Sequence, residues 1–468
     1  MRAAWVALLS LAIPATCLAK QAADGPTSNQ EVRPVSPDTR KSIEADGNQT
    51  REPSLNPRID ASRITELPAP TVPANVVMPT PPIHRIATER SQTELKENVW
   101  SSGNKAVRNG LSWLAATQSR NGSWFEGKDV IPTDQPPKQA EAAAAVTALG
   151  LKAFAQAPNL VTDATTRDKA LDYLRNAIER KGFDGLNTAG LGNYVTSAVV
   201  MGLAAVGSDT GTMLAGVDWL KSNQWDGQDG LRSQQDWYGG AGYGNRGRPD
   251  LSNTQMMLDA LYDAGVSPEE PNVQRALVFL TRTQNLKATN PAAWAQAGNN
   301  DGGFIYTPAN DGESMASQFV GEGRYGEKMP TGEPRSLRSY GSMTYAGFKS
   351  LLYAGLDADD PRVKAALDWA SRHWTFKENP GVGQQGYYYY IHAMARALRA
   401  SGLNEITDGD GVKHNWRDEL IAALVDRQLP DGSWVNPEDR WEEGRPELAT
   451  IYATLALEEA LKPADTED

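Results

Sequence analysis

After Glu94 one short pattern returns six times, and it limits what the chain can fold into. The segments LSWLAATQ from Leu111, LDYLRNAI from Leu171, VDWLKSNQ from Val217, LVFLTRTQ from Leu277, LDWASRHW from Leu367 and IAALVDRQ from Ile421 share one register. Their anchors are 60, 46, 60, 90 and 54 residues apart. In each, an apolar residue, an aromatic or apolar one two positions later and usually a further apolar residue close one helix face. The helices end near Gln118, Gln224, Gln284 or Gln428, before the turns NGSW, DGQDG, NDGGF and DGSW, where Gly can take a positive φ and stop the helix. A second, more apolar helix follows each, over 138–157, 191–207, 250–266, 339–356, 386–402 and 446–461. Their Ala, Gly and Ser content suits helices packed on both sides. Alternating polar-faced and buried helices are the signature of a helical repeat. Open solenoids carry distinct capping repeats, whereas here the first and last units match each other best. The expected fold is all-α: a closed α/α toroid of about six helix pairs over 95–463.

Those two units carry the sharpest motif. Gln118, Gly122 and Trp124 repeat as Gln428, Gly432 and Trp434, both in the form Q-x3-G-x-W. This resembles the QW motif of the squalene and oxidosqualene cyclases and of the related protein prenyltransferase β-subunits, over about residues 100 to 462. The resemblance implies that these residues are structural, with the Gln amide capping a neighbouring helix end under the indole. Residue chemistry asks the same, since a buried amide needs partners and an indole gives broad apolar cover. LRSYGSMTYAGFKSLLYAGLDADDPRV, ENPGVGQQGYYYYIHAMARAL and LPDGSWVNPEDRWEEGRPELATIYATLAL are also similar to exported bacterial prenyltransferase/squalene oxidase repeat proteins. That likeness implies a fold and a location without a reaction.

The first 94 residues read differently. Arg2 precedes an apolar stretch, Ala3 to Ile13, too short to span a bilayer, and Cys17-Leu18-Ala19 fits a cleavage site before Lys20. Residues 1–19 are therefore expected to be a signal peptide, and the protein to be exported, periplasmic or extracellular. The alternative is lipoprotein processing, with Cys17 acylated as a membrane anchor. From 20 to 94 the chain is rich in Pro, Ser, Thr and Asn and reads as a disordered linker, followed by the toroid and a tail at 464–468. His84 falls in the linker.

Composition narrows the chemistry. With 46 Lys and Arg against 58 Asp and Glu, the net charge of −12 argues against a nucleic-acid binder. One Cys excludes a disulfide scaffold and a Cys-rich zinc module. The zinc thiolate centre that the prenyltransferase resemblance implies cannot form without a Cys beyond Cys17, and thioester chemistry fails likewise. Squalene-hopene-type cyclases protonate an alkene with an Asp-x-Asp-Asp acid, and Asp357-Ala358-Asp359-Asp360 has that form. It aligns, however, with Ser267 to Glu270 one unit earlier. Both stretches precede a Pro at the first turn of an outer helix, where capping residues belong. No cofactor and no metal site is expected.

Candidate site residues come from the fifth unit and from three loops. Tyr388, His392 and Arg396 lie at i, i+4 and i+8 on one predicted stripe, suited to anion or sugar binding or to acid–base work. The competing reading is a tyrosine-rich packing face. His373 and His414 suit helix ends. The long interval before the fourth inner helix offers Asp301, Tyr306, Glu313, Arg338 and Tyr340, and an insertion of that length is often functional. Trp237 and Tyr243 precede the third inner helix, and Arg440, Trp441, Glu443 and Glu447 the sixth, with Tyr387 opening the fifth. These aromatics, arginines and carboxylates would crowd one mouth of a ring. Equally, they would cap helices and pair in solvent. The leading expectation is a ligand-binding toroid, with an isoprenoid or lipid-like class implied by the resemblance. The alternatives are a glycan-active lyase or hydrolase, and a non-catalytic interaction module on a long tether. Partners are accordingly a small-molecule, lipid-like or glycan ligand, with the membrane reached only through Cys17; the oligomeric state is unknown from sequence.

Overall fold

A computed structural model describes residues 87–125, 137–157, 164–244, 246–316 and 337–463. The expected signal peptide, Cys17, His84, most of the linker and the tail lie outside the described residues. The first helix, α1 (Ala87–Thr117), begins inside the expected linker span rather than after it. There follow α2 (Pro137–Gln156), α3 (Ala164–Gly185), α4 (Gly192–Val206), α5 (Thr210–Ser222), α6 (Leu251–Asp263), α7 (Pro271–Thr283) and a short α8 (Ala293–Ala297). The remainder is α9 (Gly341–Tyr353), α10 (Pro361–Arg372), α11 (Tyr387–Ala400), α12 (Trp416–Arg427) and α13 (Pro446–Leu461). A small antiparallel hairpin, β1 (Glu405–Thr407) with β2 (Lys413–Asn415), precedes α12 and was not legible in the repeat.

The inner layer is a ring. Helices α2, α4, α6, α9, α11 and α13 each pack on the next, and α13 packs back on α2. They are buried nearly all round, as in α4, where Gly192 through Leu203 are all buried. Outer helices α1, α3, α5, α7, α10 and α12 bury one stripe each. This is the closed α/α toroid the repeat predicts.

Four outer helices end in the same device. The Nε2 of Gln118 donates to the Gly122 and Thr166 carbonyls, each at 2.9 Å. Gln224 donates to Gly239 and Asn272, Gln284 to Gly302 and Arg362, and Gln428 to Gly432 and Ala106. One amide thus ties its own turn to the next outer helix. The last of these bonds fastens the C-terminal unit to α1 and shuts the outer layer. Two residues beyond each glycine, a backbone N–H donates to a buried threonine on an inner helix. Trp124, Ala241, Phe304 and Trp434 pair in this way with Thr147, Thr254, Thr344 and Thr450, at 3.0–3.1 Å. The Trp124 and Trp434 indoles, both fully buried, donate to the carbonyls of Leu114 and Leu424 at 2.8 Å. For the third unit the turn glycine is Gly239 and not a glycine of DGQDG; there Asp226 caps a one-turn helix instead.

The two remaining outer seams use an indole and an acid. Trp219 donates to Asp184 at 2.8 Å, and Trp374 to Glu419 at 3.1 Å. His414, in β2, is held between Asp408 and Glu419 just ahead of α12, and His373 is the C-cap of α10 with its ring stacked on Trp369. Asp360 accepts the Arg362 N–H at 2.8 Å ahead of Pro361, so the Asp-x-Asp-Asp stretch is a helix cap on the outer layer.

The turn glycines are set by two constraints at once. Gly122 has φ +92, and a Cβ there would lie 2.1 Å from the Lys169 carbonyl oxygen. Gly411, in the β-hairpin turn, has φ +82 with nothing within 4 Å. Gly411→Ala should therefore cost about 1–2 kcal/mol from backbone strain alone, whereas Gly122→Ala should cost more than about 3 kcal/mol because α3 must move. Urea denaturation of the two variants measures the difference; equal losses would refute the close-approach account.

Candidate functional site

The six inner helices run parallel, so their N-terminal ends gather at one mouth of the ring. There the backbone N–H groups need acceptors, and they find them on neighbouring segments. Glu141 of α2 accepts from Ala189 and Leu191 just before α4, at 2.6 and 3.0 Å. Asp250 accepts from Asn253 at 2.8 Å, Asn379 from Ser342 at 2.9 Å, and Glu443 from Tyr388 and Tyr389 at 3.1 and 2.7 Å.

Between these capped ends lies a cavity of about 60 Å³. Its walls are mainly phenol rings: Tyr194, Tyr306, Tyr340, Tyr389 and Tyr452, with Trp441 and Glu443 from the loop before α13. Tyr194 and Tyr389 share the Ser252 hydroxyl, at 2.6 and 3.1 Å. Burial raises the pKa of these phenols, well above the usual value for Tyr194, Tyr306, Tyr340 and Tyr389, so they remain neutral hydrogen-bonding groups. Burial also pushes Asp250 up to about 6 and Glu443 up to about 7, against the lowering effect of Asn253 on the one and of Asn436 and the α11 N–H groups on the other. Glu443 therefore exchanges a proton near neutral pH while facing the cavity.

The loop that brings Trp441 is strained. Trp441 and Glu442 both have positive φ, 68° and 64°, a conformation bulky residues rarely hold without support. Arg440 supplies part of it, bonding Gln385 at 2.6 Å and lying 4.9 Å from the centre of the Trp441 ring. The buried indole N–H of Trp441 has no hydrogen-bond partner. An unpaired buried donor is costly and uncommon.

From the Tyr389 wall of the cavity a chain of polar side chains runs on between the inner helices. Gln255 donates to the Tyr389 hydroxyl at 3.0 Å, and Lys349 donates to Gln255 at 2.7 Å and to Asp259 at 2.8 Å. Arg396 lies 3.9 Å from Asp259 and bonds Asp263 at 2.7 Å, and Lys152 completes the chain on Asp263. Burial lowers the Lys349 amine to about 8, with Asp259 holding it up in part.

The structure sorts the candidate residues. Tyr340, Trp441 and, among the loop residues, Tyr306 and Glu443 meet at the cavity, and Tyr243 packs behind it against Tyr194, 5.5 Å between ring centres. Tyr388 is on the other side of α11: its hydroxyl reaches the Val435 carbonyl at 3.4 Å. Tyr387 sits under the Arg427 guanidinium and donates to Phe376. Facing inward instead are Tyr389, His392 and Arg396, so the inner stripe is at i, i+3 and i+7. His392 stacks on Tyr452 and lines neither this cavity nor the one at the far mouth; burial, with Arg396 and Lys349 nearby, holds its pKa well below the usual value and keeps it neutral. Asp301 accepts from Gly303 in its own turn and from Ser339 just before α9, Glu313 pairs with Arg248 at 2.7 Å, and the Arg338 carbonyl accepts from Ser314. Trp237 packs edge-on against Trp225, and Glu447 occupies the first turn of α13. Tyr194, Ser252, Tyr389 and Tyr452 complete the walls; each lies in the first two turns of an inner helix, a position shared in sequence but not marked by any motif.

Among the described residues no cluster of three His, Cys, Asp or Glu side chains has a metal-binding arrangement. None of their helices is long and apolar enough to cross a membrane.

Glu443, raised from 4.5 to about 7, favours folding most when protonated, so its contribution is full below pH 4.5 and is lost as pH rises through 7. Glu443→Gln should remove that part of the decline in melting temperature between these limits; an unchanged slope would refute the assignment. Asp259→Leu strands the buried Lys349 charge and should cost about 3–5 kcal/mol, while adding Lys349→Met should restore most of it. Chemical denaturation of the single and double variants tests this, and additive losses would count against the coupling.

Residues 91–307 match the family model of the squalene-hopene cyclase C-terminal domain. No curated protein matches. Among solved structures, the chain is similar to the type II terpene cyclase MstE from Scytonema in its apo form, at 14% identity, covering 77% of this chain and 98% of that one with a TM-score of 0.47. A variant of the same cyclase bound to geranylgeranyl dihydroxybenzoate gives 13% identity, 78% and 99% coverage and a TM-score of 0.45. A family 76 glycoside hydrolase from a bovine Bacteroides thetaiotaomicron strain gives 10% identity, 76% and 77% coverage and a TM-score of 0.44.

Proposed function

We propose that this chain, a squalene cyclase/prenyltransferase-like toroid, binds a small ligand in the tyrosine-lined cavity at the N-terminal mouth of its inner ring. The single observation that carries the reading is the unpaired indole N–H of Trp441, on a strained loop beside a carboxyl group that titrates near neutrality. The phenol walls suit an apolar or aromatic group, and an isoprenoid-like terminus is the class the family implies. The Trp441 N–H suits an oxygen acceptor on that ligand. Size sets a limit: about 60 Å³ is well below the roughly 300–1,000 Å³ of ordinary small-molecule pockets. With Lys349, Asp259 and Arg396 across the axis, the cavity takes the end of a ligand and not a folded polyprenyl chain.

One observation favours a glycan instead. A ring of hydroxyl-bearing aromatics around a protonatable Glu443 also suits a sugar ring. Lipid extraction of the purified protein with mass spectrometry, and titration of geranylgeraniol against mannose oligomers, distinguish the two. For the first reading geranylgeraniol binds, and Trp441→Phe, which keeps the ring and removes the donor, weakens binding about tenfold, one net hydrogen bond's worth. Binding of the oligosaccharide alone transfers the site to glycans, and binding of neither refutes it. The proposal extends to location: export with cleavage before Lys20, or anchoring through an acylated Cys17, read from the mass of the mature N-terminus.

A further inference from the structure

Four of the outer seams rest on glutamine amides and a fifth on Trp219 with Asp184; the sixth, between α10 and α12, also holds an imidazole. Glu419, in the first turn of α12, uses both of its oxygens there. Its Oε2 accepts the Trp374 indole N–H at 3.1 Å, and its Oε1 faces His414 Nδ1 at 2.7 Å. On the other edge of the ring, His414 Nε2 faces Asp408 Oδ2 at 3.0 Å. The second oxygen of Asp408 accepts the Asp410 and Val412 N–H groups, at 3.0 and 2.8 Å, and so shapes the turn between β1 and β2. That turn lies against α10, where a Cβ on Gly409 would be 3.5 Å from the Arg372 Cα. His414 thus joins the hairpin turn to the start of α12 and, through Glu419, to the segment after α10.

A neutral imidazole has one donor and one acceptor nitrogen, whereas an imidazolium donates from both. Both oxygens facing His414 belong to carboxylates, which when ionised only accept. The imidazolium therefore satisfies both contacts; without its proton, one nitrogen lone pair would face a carboxylate oxygen. Partial burial lowers the His414 pKa, but the bonds to Asp408 and Glu419 outweigh it and hold the group above its ordinary 6.5. Among the described residues no other ion pair reaches the ring. Glu405 pairs with Lys413, Asp418 accepts from Trp100, and Arg372 turns to Asp368 and the Asp301 carbonyl. Trp374 covers the ring at 5.5 Å between centres.

We infer that His414 is a pH-sensitive clasp: as the imidazolium it fastens the β1–β2 hairpin to the seam between α10 and α12, and on losing its proton it lets the hairpin go. Its grip is full below about pH 6.5, the unfolded value, and is lost as pH rises through the higher folded value. The segment after α10 also reaches inward, since the Thr375 and Phe376 carbonyls accept the Tyr390 and Tyr387 hydroxyls of α11 at 2.7 Å. The clasp acts on the outer layer whatever the tyrosine-lined cavity binds.

Histidine-selective 15N NMR of the full chain, from about pH 5 to 9, reads the clasp directly. The expected result is a His414 ring protonated on both nitrogens at the acid end, with a midpoint above 6.5. Assignment by elimination, with His84→Gln and His373→Gln, leaves the clasp untouched. Hydrogen exchange with mass spectrometry, corrected for the intrinsic rate, should show protection over 405–415 lost through the same midpoint. Residues 210–222, beside the Trp219–Asp184 seam, should show no such step. Glu419→Gln, which keeps an acceptor for Trp374, should lower the midpoint. A midpoint at or below 6.5, or hairpin protection without a step at it, overturns the proposal.

Discussion

A glutamine amide that reaches two carbonyls at once holds this ring together. Each of Gln118, Gln224, Gln284 and Gln428 joins the turn that ends its own helix to the first or middle part of the next outer helix. A net hydrogen bond contributes only about 1 kcal/mol, so the strength lies in repetition and in the cost of leaving a buried amide unpaired. The turn must pass close to the neighbouring backbone for the amide to reach both partners. That closeness is why glycine is required at 122, 239, 302 and 432, and why a threonine on the inner helix can accept the next free N–H. Removing one link exposes the others, since the same turn carries all three.

Parallel inner helices make the two mouths chemically different. Where helices begin, backbone N–H groups need acceptors, and the loops supply carboxylates and amides: Glu141, Asp250, Asn379, Glu443. Some of these acids are buried by the aromatic residues around them, which raises Asp250 and Glu443 into the range near neutrality. Where helices end, cations collect: Lys152, Arg396, Arg399, Lys462. An acidic mouth and a basic one therefore follow from the shared direction of the inner helices. The polar chain from Tyr389 through Gln255, Lys349 and Asp259 to Arg396 is the filling that this polarity permits along the axis, each charge meeting an opposite one.

The repeat was legible because it is local. Helix faces, Gly turns and the Q-x3-G-x-W pairs are encoded within a few residues, and the matching of the first and last units foretold closure. Capping also read correctly, since Asp360 before Pro361 is a short-range arrangement. The degenerate units were harder: Gln224 and Gln284 meet their glycines 15 and 18 residues on, where spacing carries no signal. The inner stripe slipped by one residue, Tyr389 in place of Tyr388. Four consecutive tyrosines give a helix no apolar phase of its own, and the phase was set when Glu443 bound the Tyr388 and Tyr389 N–H groups and Arg427 covered Tyr387.

By itself the sequence determined the helical class, the pairing of helices, the ring and the glutamine–glycine–tryptophan fastenings, because each depends on contacts between residues near in the chain or on a period. It also determined what chemistry is missing, since a thiolate centre needs cysteines the chain lacks after Cys17. Only the tertiary structure decided which side chains face one another across the axis. The cavity takes residues from α4, α6, α9, α11, α13 and two loops, and the pairing of Lys349 with Asp259 or of Arg396 with Asp263 spans 90 and 133 residues. Such meetings are set by the rotation and depth at which packed helices come to rest, and that is a property of the whole ring.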